Sequence, residues 1–152
     1  MLTAFFDSAI YVRVKKNQFR VRSLKFEREA TFNSDQPFST NRQLIGQFEL
    51  AEKLLKRAVK EISKGSIFAP SPEVLIQPLE LIEEGLSQVE ERALEEVAIG
   101  AGASKVVVWV GHELSDSEVR ENSVLNDVPY NNPAQPDRLQ RCALPAAAGR
   151  ER

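Results

Sequence analysis

The side chains that could do chemistry are few and far apart along the chain. His112 is the only histidine. It follows an apolar run, with Glu113 and Asp116 as its nearest acidic neighbours, and a histidine works as a general base only when a partner fixes its orientation. Nothing in the pattern supplies that partner, so the plainer reading is an exposed loop residue. Cys142 is a single cysteine, which leaves no internal disulfide and no multi-cysteine zinc site. No neighbouring pattern marks its thiol as activated. Metal-dependent phosphodiester cleavage needs several carboxylates around paired magnesium ions. Asp7 and either Glu49 or Glu52 could begin such a set, but Gln77 stands where a further acid is wanted, and the next is Glu113. The stretch Gly100-Ala-Gly-Ala-Ser104 lacks the Gly-Lys-Ser/Thr of a phosphate loop and precedes a strand, so it reads as a helix cap joined to a turn. Ser87-Gln-Val-Glu90 has the spacing of a capping box, which gives Glu90 a structural task.

The elements that must position these residues can be read from periodicity. Ile10, Val12 and Val14 alternate with Tyr11, Arg13 and Lys15, and Phe19 and Val21 alternate with Arg20 and Arg22, a period of two with one apolar face. The short Lys16-Asn17-Gln18 junction suits a hairpin, with Asn17 tolerating the left-handed conformation. Leu2 to Phe6, turning at Asp7-Ser8, reads as a strand before these, so three antiparallel strands open the domain. Residues Lys25 to Arg42 have no sustained period and read as a connection. Ile45, Phe48, Ala51, Leu55, Ala58, Val59 and Ile62 then form one helical stripe, closed by Gly65. Val74-Leu-Ile76 is a short strand that Pro78 limits. A second helix after Ser87 turns Val89, Ala93, Leu94 and Val97 inward, and Val106 to Val110 is a last strand. Strand, helix, strand implies a right-handed crossover and a parallel pair. The fold class is α/β: a βββαβαβ mixed sheet with two main helices. Residues 1–120 form the domain, with a short helix from Ser115 at most, and 121–152, polar and broken by prolines, form a disordered tail.

Charge is uneven. The segment from Arg13 to Arg28 is basic and that from Glu73 to Gly100 acidic, so the two could meet head to tail between copies, although two solvated faces are the plainer reading. The net charge of -2 gives no pull toward nucleic acid. There is no apolar run of about 18 residues to span a bilayer, and the first residues lack the basic start of a signal peptide. These features point to the cytoplasm, or the inner face of the cell membrane with peripheral contact at most.

Two stretches carry a resemblance to a known family. Leu44-Ile-Gly-Gln-Phe-Glu-Leu-Ala-Glu-Lys-Leu-Leu55 looks like the segment of bacterial actin homologues of the MreB (rod shape-determining) family that reads G-V-I-A-D-F and then E-K-M-L. Pro70-Ser-Pro-Glu-Val-Leu-Ile76, Ser87-Gln-Val-Glu-Glu-Arg-Ala-Leu94 and Gly100-Ala-Gly-Ala-Ser-Lys-Val-Val107 resemble that family's P-S-P-x-V-L-V, T-x-V-E-R-R-A and G-A-G-A-x-x-V, in the same order. The resemblance implies an actin-like, ribonuclease H-like fold limited to one subdomain, IA. It also implies that the nucleotide machinery is gone. The family's first phosphate loop reads like D-L-G-T-A-N, whereas Phe5-Phe-Asp-Ser-Ala-Ile10 has no glycine to let the backbone approach phosphate. Asp7 and Ser8 would be degenerate loop positions. Glu90 would be the counterpart of a glutamate placed near the attacking water, without a phosphate to act on. The second loop has no counterpart. The expectation is a non-enzymatic interaction module with no cofactor and no metal, linked to cell shape or the cytoskeleton. It would dock onto a protein partner, an MreB-like filament or itself, with no nucleic acid, through the hairpin surface Tyr11, Arg13, Lys15, Arg20 and Arg22. The alternative is a divergent ribonuclease H-like nuclease built on the incomplete acid set above.

Overall fold

In the computed structural model the described residues are 8–65 and 71–124. The elements run β1 (Ile10–Lys15), β2 (Gln18–Ser23), β3 (Arg28–Asn33), α1 (Phe48–Ile62), β4 (Glu73–Pro78), α2 (Gln88–Gly100), β5 (Lys105–Val108) and α3 (Asp116–Val124). One mixed sheet holds all five strands in the order β3-β2-β1-β4-β5. β1–β2 and β2–β3 are antiparallel, and β1–β4 and β4–β5 are parallel. The central strand is therefore β1, and both strands of the first hairpin lie inside the sheet. Its edges are β3 and β5.

Alternation along the strands separates two cores. Ile10, Val12 and Val14 of β1, Phe19 and Val21 of β2, and Val74 and Ile76 of β4 face α1 and α2, where Ala51, Leu55, Ala58, Leu94 and Val97 meet them. Burying each of the larger side chains contributes about 1.5–3 kcal/mol, so this layer dominates the stability. Phe19 stacks on Phe38 with ring centroids 4.9 Å apart. The other face is smaller: Tyr11, Leu24 and Leu75 pack with Leu114 and with Val119 of α3.

Several sequence expectations move. The stretch read as connection contains β3, because Arg28 to Asn33 buries little and shows only a weak alternation, its exposed residues marking a sheet edge. The first described strands are thus β1, β2 and β3, while the segment Leu2 to Phe6 lies outside the described residues. α1 starts at Phe48, which is partly exposed, and adds Leu54 to its buried stripe. In α2 the inward face is Glu91, Leu94, Val97 and Ala98, whereas Val89 is 70% exposed. A charged residue thus occupies a position on the inward stripe, and the apolar residue beside it faces solvent. α3 runs to Val124, and the rest of the expected tail lies outside the described residues.

Candidate functional site

The turn that joins β1 to β2 is where the central strand delivers the chain to one end of the sheet. Lys15 pairs with Gln18, leaving a two-residue turn. Asn17 takes φ 58°, the left-handed region an asparagine tolerates. Both turn amides are engaged. The Lys16 amide donates to Glu80 Oε2 at 2.7 Å and the Asn17 amide donates to Ser39 Oγ at 2.9 Å. The Ser39 amide returns a bond to Asn17 Oδ1 at 2.8 Å, and its hydroxyl donates to the Leu44 carbonyl at 2.6 Å. Chemically this turn is an anion site already filled by the chain's own carboxylate. Sequence reasoning found the turn and missed Glu80 and Ser39, whose spacing from it carries no local signal.

Close by, Gln77, next to the last residue of β4, is fully buried. The Tyr11 hydroxyl donates to Gln77 Oε1 and accepts from the Leu114 amide at 3.1 Å. Gln77 Nε2 donates to the carbonyls of Gly111, at 2.8 Å, and His112, at 3.2 Å. This knot fixes the loop between β5 and α3, the region where ligands bind in many open α/β sheets. Burial raises the Tyr11 pKa, only partly opposed by the Leu114 bond and the Arg13 charge. Exposed His112 pairs with Glu118 at 3.0 Å. Glu118 falls to about 2, held down first by the Ser115 amide and then by His112.

The residues expected to form an interaction surface fare unequally. Tyr11 is 1% exposed and belongs to the knot just described, so it does not reach the surface. Arg13 is buried and pairs with Glu29 and, at 3.3 Å, with Glu113. Arg13 and Arg20 stand opposite each other in the register, a repulsive pairing that Glu29 relieves by also taking Arg20 at 2.8 Å. Burial pushes the Glu29 carboxyl up, but the Arg20 hydrogen bond and the two guanidinium charges outweigh it, leaving it below its ordinary value. Arg22 holds Asp116 through two bonds of 2.6 Å, which lower its carboxyl below the ordinary value. Lys15 is exposed. The basic hairpin is thus largely neutralised from within by Glu29 of β3, Glu113 of the loop before α3 and Asp116 at the start of α3.

Of the candidate metal set, Glu49, Glu52 and Glu113 lie among the described residues. Among the described residues no group of three or more His, Cys, Asp or Glu side chains could hold a metal ion. Glu49 lies exposed in the first turn of α1, Glu52 sits against Gly100, and Glu113 reaches Arg13. Asp7 and Cys142 lie outside the described residues.

Comparison with known proteins now has a geometry to attach to. The chain is 39% identical to the uncharacterized protein YjaA of Escherichia coli (strain K12) over 121 residues, which cover 74% of this chain and 94% of YjaA. This chain belongs to the YjaA family. No protein-family model matches it. A shorter similarity joins it to the cell shape-determining protein MreB: 41% identity over 63 residues with that of Haemophilus influenzae, and 40% with that of Escherichia coli (strain K12). The shared stretch is 41% of this chain and 17% of MreB, so the chain spans about one sixth of that relative.

Of the positions suggested by the MreB resemblance, Glu90 has a structural role. Ser87 and Glu90 form a complete capping box: the Glu90 amide donates to Ser87 Oγ at 3.3 Å and the Ser87 amide to Glu90 Oε2 at 3.0 Å. Ser8 precedes β1, at the end of the sheet opposite the hairpin turn. β1 is the central strand, and the loop that follows it is Lys16-Asn17. Lys25, Lys56 and Lys60 line one cleft of about 350 Å³ at that opposite end.

Proposed function

We propose that this protein is a non-enzymatic, actin-like protein-interaction module: the core of one MreB-like subdomain, IA, without nucleotide binding or hydrolysis. The observation that carries the reading is the sealed turn after β1. A phosphate grip needs free backbone amides and a glycine that lets them approach, and here the amides of Lys16 and Asn17 already donate to Glu80 and Ser39. A carboxylate at that spot also repels phosphate. The similarity to only 17% of MreB agrees, because an actin-like cleft needs a second half. The resemblance to a cell shape-determining protein motivates the partner class, an MreB-like filament or a further copy of this chain.

Calorimetry of the full chain with ATP and magnesium tests the first half of the reading. The expected outcome is no saturable, magnesium-dependent heat, and binding near about 1 µM, worth some 8 kcal/mol, would sink it. Co-sedimentation with purified MreB filaments, beside analytical ultracentrifugation of the chain alone, tests the second half. Pelleting with filaments, or a concentration-dependent oligomer, supports docking. A monomer that stays in the supernatant removes it.

A further inference from the structure

At the end of the sheet opposite the sealed turn, the cleft of about 350 Å³ lies between the end of α1, the turn joining β2 to β3, and the start of β4. Its volume is in the range of small-molecule sites. Lys56 and Lys60 enter it from successive turns of α1, and Lys25 enters from the β2–β3 turn. Ser23 and Ser63 add hydroxyls, and Phe26 and Val59 add apolar wall. No carboxylate lines it among the described residues. Of the acids on these elements, Glu61 pairs with Lys64 at 3.0 Å, Glu52 lies against Gly100, Glu27 is exposed in its turn, and Glu73, half-buried at the start of β4, is not among the lining residues.

We propose that this cleft binds a small phosphate-bearing organic anion. Lysine ammonium groups act as mobile point charges for phosphate, and hydroxyls supply the remaining donors. Three cations, with no acid among the described lining residues, favour a dianionic or diphosphate group over a single carboxylate, and the apolar wall accepts the organic body. The site is independent of the sealed turn, because it lies at the other end of the strands and uses none of the turn's residues.

The test is a titration of the full chain with sodium pyrophosphate, followed by backbone amide NMR. Shifts should cluster at Lys25, Phe26, Ser63 and Gly102 and saturate with a Kd below about 1 mM. The double variant Lys56→Gln/Lys60→Gln, exposed at both positions, should weaken binding about tenfold or more while keeping the folded spectrum. Vesicles of phosphatidylcholine with phosphatidylglycerol form the second arm. Capture by vesicles that the double variant loses, without a pyrophosphate response, assigns the phosphate to a lipid headgroup at the same site. A response to pyrophosphate alone assigns a free ligand. Absence of both, shifts scattered over all lysines, or a double variant that binds unchanged overturns the proposal. ATP binding that needs magnesium and survives the double variant would instead overturn the reading of the sealed turn and leave the cleft untouched.

Discussion

At the hairpin end of the sheet the chain supplies its own anion, Glu80, to the turn amide of Lys16, and ties the next amide to Ser39. At the opposite end Lys25, Lys56 and Lys60 stand around a cleft with no acid in its described wall. The same sheet therefore closes one end with internal bonds, while at the other the Lys25 ammonium lies over the Phe26 ring and Lys56 and Lys60 face the cleft without a described carboxylate. A closed end is a place of stability, and an end with unspent charge is a place for a ligand. Substitutions should separate the two ends by their energetic weight.

The largest effect belongs to Phe19→Ala, at the hairpin end. Phe19 is fully buried and stacked on Phe38, so truncation should cost about 3–5 kcal/mol, read as a shift of the urea midpoint. A cost below about 1 kcal/mol would mean that this end is not the packed one. Gln77→Leu comes next. It keeps the volume but leaves the Tyr11 hydroxyl without its acceptor and the Gly111 carbonyl without its donor, whereas the His112 carbonyl keeps the Trp109 indole at 2.9 Å. The expected loss is about 1–3 kcal/mol, with faster amide exchange in the loop from Gly111 to Leu114 as the local signature.

How far this contrast was legible in the sequence depends on the distance over which each signal acts. The alternation of Ile10, Val12 and Val14, the crossover from β4 to β5, and the Ser87–Glu90 cap are local patterns, and all are found where they were read. β3 was missed because Arg28-Glu-Ala-Thr-Phe-Asn33 lies at an edge and buries too little to show a period. Val89 was assigned inward because apolar type was taken for burial, whereas the helix turns Glu91 inward instead. The hairpin arginines looked free because their acids, Glu29, Glu113 and Asp116, lie 9 to 100 residues away. Glu80 and Ser39 are equally remote from the turn they seal. Only the fold brings these partners together, so the candidate site could not be read from the chain.

A smaller effect should appear in acid. Asp116 and Glu29 have carboxyls held below their ordinary values, by Arg22 in one case and by Arg20 and Arg13 against burial in the other. A carboxyl lowered in the folded state contributes stability above its unfolded pKa, about 4, and that contribution is lost as pH falls through the folded value. Because both pairs are partly exposed, each should be worth about 1 kcal/mol at most. Thermal midpoints measured from pH 7 down to about 3 should fall on this account. The variant Asp116→Asn should flatten part of that fall, and an unchanged slope would show that the Arg22 pair adds nothing.

The smallest effect tests the other half of the comparison. Lys56 and Lys60 are exposed on α1, and among the described residues no carboxylate lines the cleft they share with Lys25. Replacing both by glutamine removes like charges that repel one another, keeps helix-forming residues in α1, and weakens a favourable interaction of Lys60 with the helix C-terminus. These terms are each a few tenths of a kcal/mol and oppose one another, so stability should stay within about 0.5 kcal/mol of the parent chain. A loss above about 1 kcal/mol would show that the lysines hold the fold together through partners on their own chain. The two ends of the sheet would then be closed alike, and the cleft would have no charge left to offer a ligand.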